Sequence, residues 1–367
     1  MPTAIDAITE HQPRARLALS AALAAGPAHA YLFRGPRGSG KRAAARAFAA
    51  EILATGSADP EGARRRAMLD PSPHPDLVWI APRGSQHLIE EVREQVIRAA
   101  AYRPFEGSER VFVIEQAEAM REESQNALLK TLEEPPSFDH LLLLSAEPEA
   151  LLETIASRCQ EISFVPLPPE AVAAQLAEQG SEPEIAAAAR LAGGDVERAR
   201  FLLSEGGRGL RREAEGMARA AVDPGAGGAP WKALLDAADE AGKQAEGAAR
   251  ELMESDEAAR KRSQKETGEE ARRVGRRRRT EVLDLGLELC AAWLRDVGAV
   301  AAGAEDVVLG SDRISELRED ASGLDPVAAR RSVELVQDTR RRLDLNVSEE
   351  LALEALFFRA QRQLAAV

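Results

Sequence analysis

Cysteine is nearly absent. Cys159 and Cys290 are the only two in 367 residues, so neither a disulfide framework nor a four-thiolate zinc site can be assembled from this chain alone. Such thiol poverty is the usage of a cytoplasmic protein. Aromatic residues make up only 4%, too few for a β-sandwich or barrel, whose strands lean on aromatic and β-branched side chains. Long apolar runs are missing too: the leucine run Leu141 to Leu144 and even LCAAWL at 289–294 are far below the roughly 20 residues a membrane span requires. Positive charge is in deficit. Forty-eight Lys and Arg against 61 Asp and Glu give a net charge of −13, which argues against a globally electropositive nucleic-acid binder and leaves DNA contact as something local or shared.

One stretch imitates a targeting signal. Arg14 and Arg16 precede LALSAALAAGPAHA, which ends in small residues like a cleavage site. Asp6 and Glu10 sit where the basic region should be, and cleavage after Ala30 would cut immediately before an apolar strand. The segment is therefore read as part of the folded protein.

What is present is length, alanine and helical periodicity. At roughly 150 residues per domain the chain has room for two or three domains, and its 27 Gly and 20 Pro exclude a coiled coil. From Ala30 to Phe164, short apolar runs (AYLF, DLVWIA, RVFVIE, HLLLLS and EISFV) alternate with helix patterns at Lys41 to Leu53, Leu88 to Ala100 and Ser124 to Glu133. This is the pattern of a parallel sheet covered by helices. Pro135 and Pro136 stop the last of these helices. After Val165 the segment PLPP breaks the chain, and the remainder is helical in spacing without a convincing strand. Gly193, Gly194, Gly206, Gly207 and Gly209 punctuate a short helical unit, and DPGAGGAP at 223–230 separates two later helical stretches. Residues 243–280 are almost entirely polar and end in RRVGRRRR, an exposed helix or a partly disordered insertion.

The strand AYLF runs into GPRGSGKR, so Gly35, Gly38, Gly40 and Lys41 match a phosphate-binding loop set between a strand and a helix. Glycines let backbone N–H groups turn toward phosphate oxygens, the helix offers its positive N-terminus, and Lys41 can reach the terminal phosphates. Two parts needed for hydrolysis are missing. After the lysine, where Ser or Thr gives a hydroxyl to Mg²⁺, stands Arg42, and a guanidinium ligates no cation. The acidic strand end RVFVIEQAEAM supplies Glu115, able to approach a metal ion, but the next position is Gln116, which cannot accept a proton from water as a carboxylate does. Glu118 lies where the chain turns into a helix and is a poor replacement. Weak ATP or ADP binding is thus expected, productive turnover is not, and no cofactor is required.

HAYLFRGPRGSGK at 29–41, HPDL at 74–77, NALLKTLEEPP at 126–136 and TIASRCQEI at 154–162 together resemble the clamp-loader family of AAA+ proteins, and LNVSEELALEALFFR at 345–359 resembles a last helix of that family. The resemblance spans most of the chain and is weakest at 207–330. It implies an α/β AAA+ P-loop module with a parallel five-stranded sheet at 1–166, a small helical lid at 167–206, and an all-α collar at 207–367 carrying the polar insertion at about 243–280. It implies a hetero-pentameric ring with gamma/tau and delta subunits, acting on a sliding clamp and primer–template DNA during DNA replication in the cytoplasm, with no membrane partner.

The resemblance also assigns roles. Arg158, in Ser157–Arg158–Cys159, stands where the family presents an arginine to nucleotide bound by a neighbour, and a guanidinium there neutralises charge growing on the γ-phosphate, an effect on the order of 10³ to 10⁵ in rate. The other reading of Arg158 is an ordinary surface pair with a carboxylate. Cys159 reads as a small buried residue. Lys130 is a candidate DNA phosphate contact opposed by Glu133 and Glu134, while Ala127, Leu128 and Leu132 of the same helix form an apolar face. In the lid, AGGDVERAR places Arg198 later after Gly194 than in the family's ATPases. Four-cysteine zinc modules are common in the family between the first helix and the second strand, but residues 55–75 hold no cysteine, so no zinc is expected. The arginines at 272, 273 and 276–279 have no interleaved aromatic and are flanked by acids at 266, 269, 270 and 281, which favours a solvated helix face or partner surface over DNA. The chain thus reads as a largely non-hydrolysing ring component with no catalysis of its own, a part of a polymerase holoenzyme. The alternative is an ATP-hydrolysing motor of the gamma/tau kind or another AAA+ remodeller.

Overall fold

The structure, a computed structural model, describes residues 4–82, 86–223, 225–255, 264–343, 345 and 347–365. The chain divides into two compact units, residues 1–168 and 169–367. In the first, the order is α1 (Ala4–Ile8), α2 (Pro13–Ala25), β1 (Ala30–Arg34), α3 (Lys41–Ala54), α4 (Pro60–Met68), β2 (Leu77–Ile80), α5 (Ile89–Val92), β3 (Arg110–Ile114), α6 (Glu122–Glu133), β4 (Asp139–Ser145), α7 (Glu153–Ala156) and β5 (Gln160–Ser163). The five strands form one sheet in the order β2-β3-β4-β1-β5, every pair parallel. This is the helix-covered parallel five-stranded sheet expected from the sequence.

Period-two alternation decides which face each strand residue serves. Tyr31, Phe33, Val111, Val113, Leu142 and Leu144 point to the face covered by α3, where Phe48 and Ile52 meet them. Leu32, Phe112, Ile114, Leu141 and Leu143 point to the opposite face, with Leu128 and Leu132 of α6. Both faces are buried, so the strands read as continuous apolar runs. The aromatic residues are concentrated here: Tyr31 meets Phe48 edge to face at 5.0 Å and Phe33 stacks on Phe164 at 5.5 Å. Elsewhere α3 packs through alanine, with Ala44, Ala45, Ala47 and Ala49 fully buried.

The structure departs from the sequence reading in two places. The helix expected from Leu88 to Ala100 is α5 followed by a wider π-type turn at Arg93–Arg98 and a tight turn at Ala99–Ala101. Arg110 explains the ending: its guanidinium donates to the carbonyls of Ala99, Tyr102 and Arg103 at 2.6, 2.9 and 2.6 Å, drawing the chain inward. The second is α4, which the sequence pattern does not announce. Asp59 caps it by accepting the Gly62 N–H at 2.9 Å, and Ala63 and Ala67 are its buried face.

The second unit is helical among its described residues: α8 (Pro169–Ala174), α9 (Glu182–Leu191), α10 (Val196–Leu203), α11 (Glu205–Val222), α12 (Trp231–Ser255), α13 (Gln264–Ala301), α14 (Ile314–Asp320), α15 (Pro326–Leu343) and α16 (Glu349–Leu364). The segment DPGAGGAP falls between α11 and α12. Of the polar stretch 243–280, residues 256–263 lie outside the described residues, and the rest belongs to α12 and α13. These helices pack antiparallel through facing glycines: a Cβ on Gly275 would lie 2.9 Å from the Gly242 carbonyl oxygen. Buried acids hold other contacts. Asp296 accepts the N–H groups of Leu309 and Gly310, each at 2.8 Å, and Arg211 forks onto Asp312 at 2.7 and 2.8 Å while donating to Glu215 at 2.6 Å.

Candidate functional site

The phosphate loop leaves the carboxyl end of β1, the edge at which ligands bind in open parallel sheets. Gly35 is required by a close approach, since a Cβ there would lie 2.4 Å from the Phe164 carbonyl oxygen. Gly40 takes φ +86° and ends the loop as the left-handed residue before α3, a conformation that costs an L side chain strain. The Gly35 N–H donates to the Ser145 carbonyl at 3.1 Å. A residue that sequence reasoning missed secures the loop from beneath: buried Gln12 donates to the carbonyls of Ser39 at 3.0 Å and Val165 at 2.6 Å, and accepts from the Val165 N–H at 3.0 Å. A glutamine in EHQPR carries no periodic signal that would have marked it.

Around this loop the charges are arranged for internal pairing. Lys41 Nζ donates to the Pro36 carbonyl at 3.0 Å. Arg42 Nε bonds the Glu115 carboxylate, and Arg42 Nη2 lies 2.8 Å from Asp70. Trp79 Nε1 donates to the same Glu115 oxygen at 2.6 Å. Arg46, itself 3.0 Å from Asp70, stacks on the Trp79 ring at 4.3 Å from its centroid, and Arg42 lies 5.6 Å from it. Burial alone would lower the Arg42 pKa, but bonding to and attraction by Glu115 and Asp70 outweigh it and the pKa is raised.

The residues present therefore fit two possible guests unequally. The turned glycines and the start of α3 suit a phosphate anion. A divalent cation fits poorly, because the position that should bring a hydroxyl brings a guanidinium and the carboxylate that should face the metal is bonded to it. Among the described residues no group of three or more His, Cys, Asp or Glu is placed to hold a metal ion. Gln116 stands in the left-handed region at φ +49°, turning the chain after β3. Glu118 is engaged with the end of β4, accepting the Ala146 N–H at 3.2 Å.

Arg158 follows α7 and is part-exposed. Its Nη1 donates to the Thr154 carbonyl at 2.9 Å and its Nη2 to Glu133 Oε1 at 2.8 Å, so in this chain alone the guanidinium is paired with a surface carboxylate. Burial, aided by Glu161, pushes the neighbouring Cys159 thiol up to about 12, which leaves it protonated and unreactive at neutral pH. Lys130 is exposed on α6. In the second unit Arg198 pairs with Glu288, which also takes Arg340 at 2.6 Å. Of the arginine run, Arg277 bonds Glu281 at 2.9 Å, Arg278 stacks on Phe201 at 4.6 Å, and Arg279 bonds Asp239 at 2.5 Å and Glu349 at 2.6 Å. Arg272, Arg273 and Arg276 are exposed.

Residues 12–168 match the family model described as DNA polymerase III, delta subunit. Among curated proteins the chain is 35% identical over 163 residues to the DNA polymerase III subunit delta' of Bacillus subtilis, covering 43% of this chain and 48% of that protein. It is 39% identical over 149 residues to the delta' subunit of Pseudomonas aeruginosa, covering 38% and 44%, and 38% identical over 164 residues to the gamma/tau subunit of Mycobacterium tuberculosis H37Rv, covering 43% and 28%. The chain spans about half the length, or less, of the curated relatives it matches. Over residues 12–168 the chain is thus similar to subunits of DNA polymerase III, with delta' and gamma/tau proteins both among its relatives.

Proposed function

We propose that this chain is a delta-prime clamp-loader subunit that hydrolyses no ATP itself and lends Arg158 to nucleotide held by an adjacent ATPase subunit. The observation that carries the reading is the bond from Arg42 to Glu115. A charge belonging to the protein stands where a hydrolysing P-loop protein keeps Mg²⁺, and Gln116 next to it offers no base. Weak binding of ATP or ADP to the backbone of Gly35, Gly38 and Gly40 with Lys41 remains compatible with this arrangement, because that recognition is of phosphate rather than metal. The exposure of Arg158 beside a short loop suits a group that acts on a neighbour's γ-phosphate. The pair with Glu133 does not speak against it, since an exposed pair of this kind contributes only about 0.2–1 kcal/mol and leaves other guanidinium donors for a phosphate.

The proposed partners are gamma/tau and delta subunits in a five-membered ring that opens a sliding clamp at primer–template DNA, with the helical second unit supplying the ring contacts. On α16, Leu351, Ala355 and Phe358 lie at helical spacing and are exposed, a surface available for such assembly. A second reading, a motor of the gamma/tau kind, is favoured by the 38% identity to gamma/tau over 164 residues, and it is disfavoured by Arg42 and Gln116.

The test is ATP turnover. The purified chain is expected to show negligible hydrolysis, and the ring reconstituted with gamma/tau, delta, clamp and primed DNA is expected to hydrolyse ATP. Arg158→Ala should leave assembly intact and slow that turnover at least tenfold. Brisk hydrolysis by the chain alone, abolished by changing Lys41, overturns the reading in favour of the motor.

A further inference from the structure

Glu133 occupies a place that packing alone does not explain. It is the final residue of α6, followed by Glu134 and then by Pro135 and Pro136, which prevent the helix from continuing. Its carboxylate is about half exposed and bonds the Arg158 guanidinium at 2.8 Å. The two elements that carry this pair are tied together below the surface. Gln125 of α6, only 4% exposed, accepts the Leu152 N–H at 2.8 Å and donates to the carbonyls of Met120 at 3.0 Å and Ala150 at 3.3 Å. Leu152 stands immediately before α7, and Arg158 immediately follows the turn that ends it, with its N–H on the Ile155 carbonyl at 3.0 Å. The distance between Glu133 and the Arg158 backbone is thus set by a buried amide and a helix stop rather than by the surface pair.

We infer that Glu133 is a positioning residue for Arg158: with the Thr154 carbonyl it holds two arms of the guanidinium fork, so that the remaining donors face outward in one orientation. The inference rests on the proposed role of Arg158 in trans. Arginine loses much rotamer freedom when it is fixed. A side chain already held at Nη1 by Thr154 and at Nη2 by Glu133 loses less of it when a phosphate arrives, and each guanidinium NH₂ keeps a second hydrogen for that phosphate. The carboxylate lowers the local positive potential at the same time. Because it is half exposed, water screens this effect, whereas the directional hold on the fork survives.

The test is ATP turnover in the reconstituted ring, containing the full chain, with four variants: Glu133→Ala, Glu133→Gln, Arg158→Ala and the Glu133→Ala/Arg158→Ala pair. Glu133→Ala is expected to lower kcat about two- to fivefold with KM for ATP little changed, the range that an exposed ion pair supports. Glu133→Gln, which keeps the hydrogen-bond acceptor and removes the charge, should restore most of the loss. In the double variant Glu133→Ala should add nothing to Arg158→Ala, because a positioning residue has no role once its arginine is gone. Ring assembly and thermal unfolding should be unchanged in all four. If Arg158→Ala slows turnover but Glu133→Ala does not, or if their losses add, the positioning role is overturned while the arginine's role stands. A gain in turnover from both Glu133 variants overturns it as well, since the carboxylate would then be restraining the arginine. If Arg158→Ala changes nothing, both readings fall.

Discussion

At the scale of single residues, the site is decided by which charges find each other. Arg42 ends on Glu115, so replacing it should release the carboxylate and, with a threonine, return a hydroxyl to the metal position. The parent chain is expected to bind a fluorescent ATP analogue weakly and equally in Mg²⁺ and in EDTA, whereas Arg42→Thr should bind it several-fold more tightly in Mg²⁺ than in EDTA. Equal affinities in the variant would mean that Arg42 is not what excludes the cation. Asp139 makes a separate case. It is buried at the start of β4, neither of its carboxylate oxygens has a hydrogen-bond partner in the structure, and burial pushes its pKa from 3.8 up to about 7, with Arg110 opposing and Glu109 adding to the rise. Its folded pKa lies above its unfolded one, so its contribution to stability is present below about pH 4 and is lost as pH rises through about 7. Asp139→Asn cannot ionise. Its Tm relative to the parent should therefore rise between pH 5 and pH 8, by at least about 2 °C, and a difference constant across that range would contradict the assignment.

At the scale of elements, close backbone approach matters where side chains are small. Between α12 and α13, Gly275 lies against the Gly242 carbonyl, and a branched side chain there has nowhere to go. Gly275→Val should cost about 1–3 kcal/mol by overpacking, read as a lower midpoint in denaturant. Gly247, on the same helix pair but with nothing within 4 Å of its would-be Cβ, supplies the contrast: Gly247→Ala should be neutral or stabilising by about 0.5–1 kcal/mol through helix propensity. A Gly275→Val variant no less stable than the parent would show that the close approach to the Gly242 carbonyl does not constrain the helix pair. The same principle separates what could be read in advance from what could not. The central strands were legible because both sheet faces are buried there and each leucine of HLLLLS has a core to enter, whereas β5 buries only Ile162 and was marked by its place in the pattern. The break after α5 was not, because its cause, Arg110 reaching back to three carbonyls, is separated from it by a loop. The short α4 was missed because its apolar face is only Ala63 and Ala67.

At the scale of the molecule, the net charge is −13, and many of the described arginines pair with carboxylates of the same chain. The run at 276–279 illustrates this: sequence alone leaves open a DNA-binding patch, and three of its four arginines have acidic or aromatic partners within the second unit. The residues proposed for the site, namely the phosphate loop, Arg42, Glu115, Gln116 and Arg158, are marked in the sequence by residue type and local spacing. Their partners are not. Gln12 lies 27 residues from Ser39 and 153 from Val165, and Glu133 lies 25 from Arg158, so only folding brings them together.

The sequence itself determined residue types and most of the secondary structure: a loop of glycines, no hydroxyl after Lys41, no carboxylate at position 116, and central strands with apolar residues on both faces. These are properties of residue type and of a period of two or 3.6, which act over a few neighbours. What the tertiary structure decided was pairing. Arg42 could have faced solvent or phosphate and instead meets Glu115, and Arg158 meets Glu133. The reason is that an ion pair is chosen by distance in space, and that distance is set by the sheet order and by buried ties such as Gln12 and Gln125, none of which a local pattern encodes.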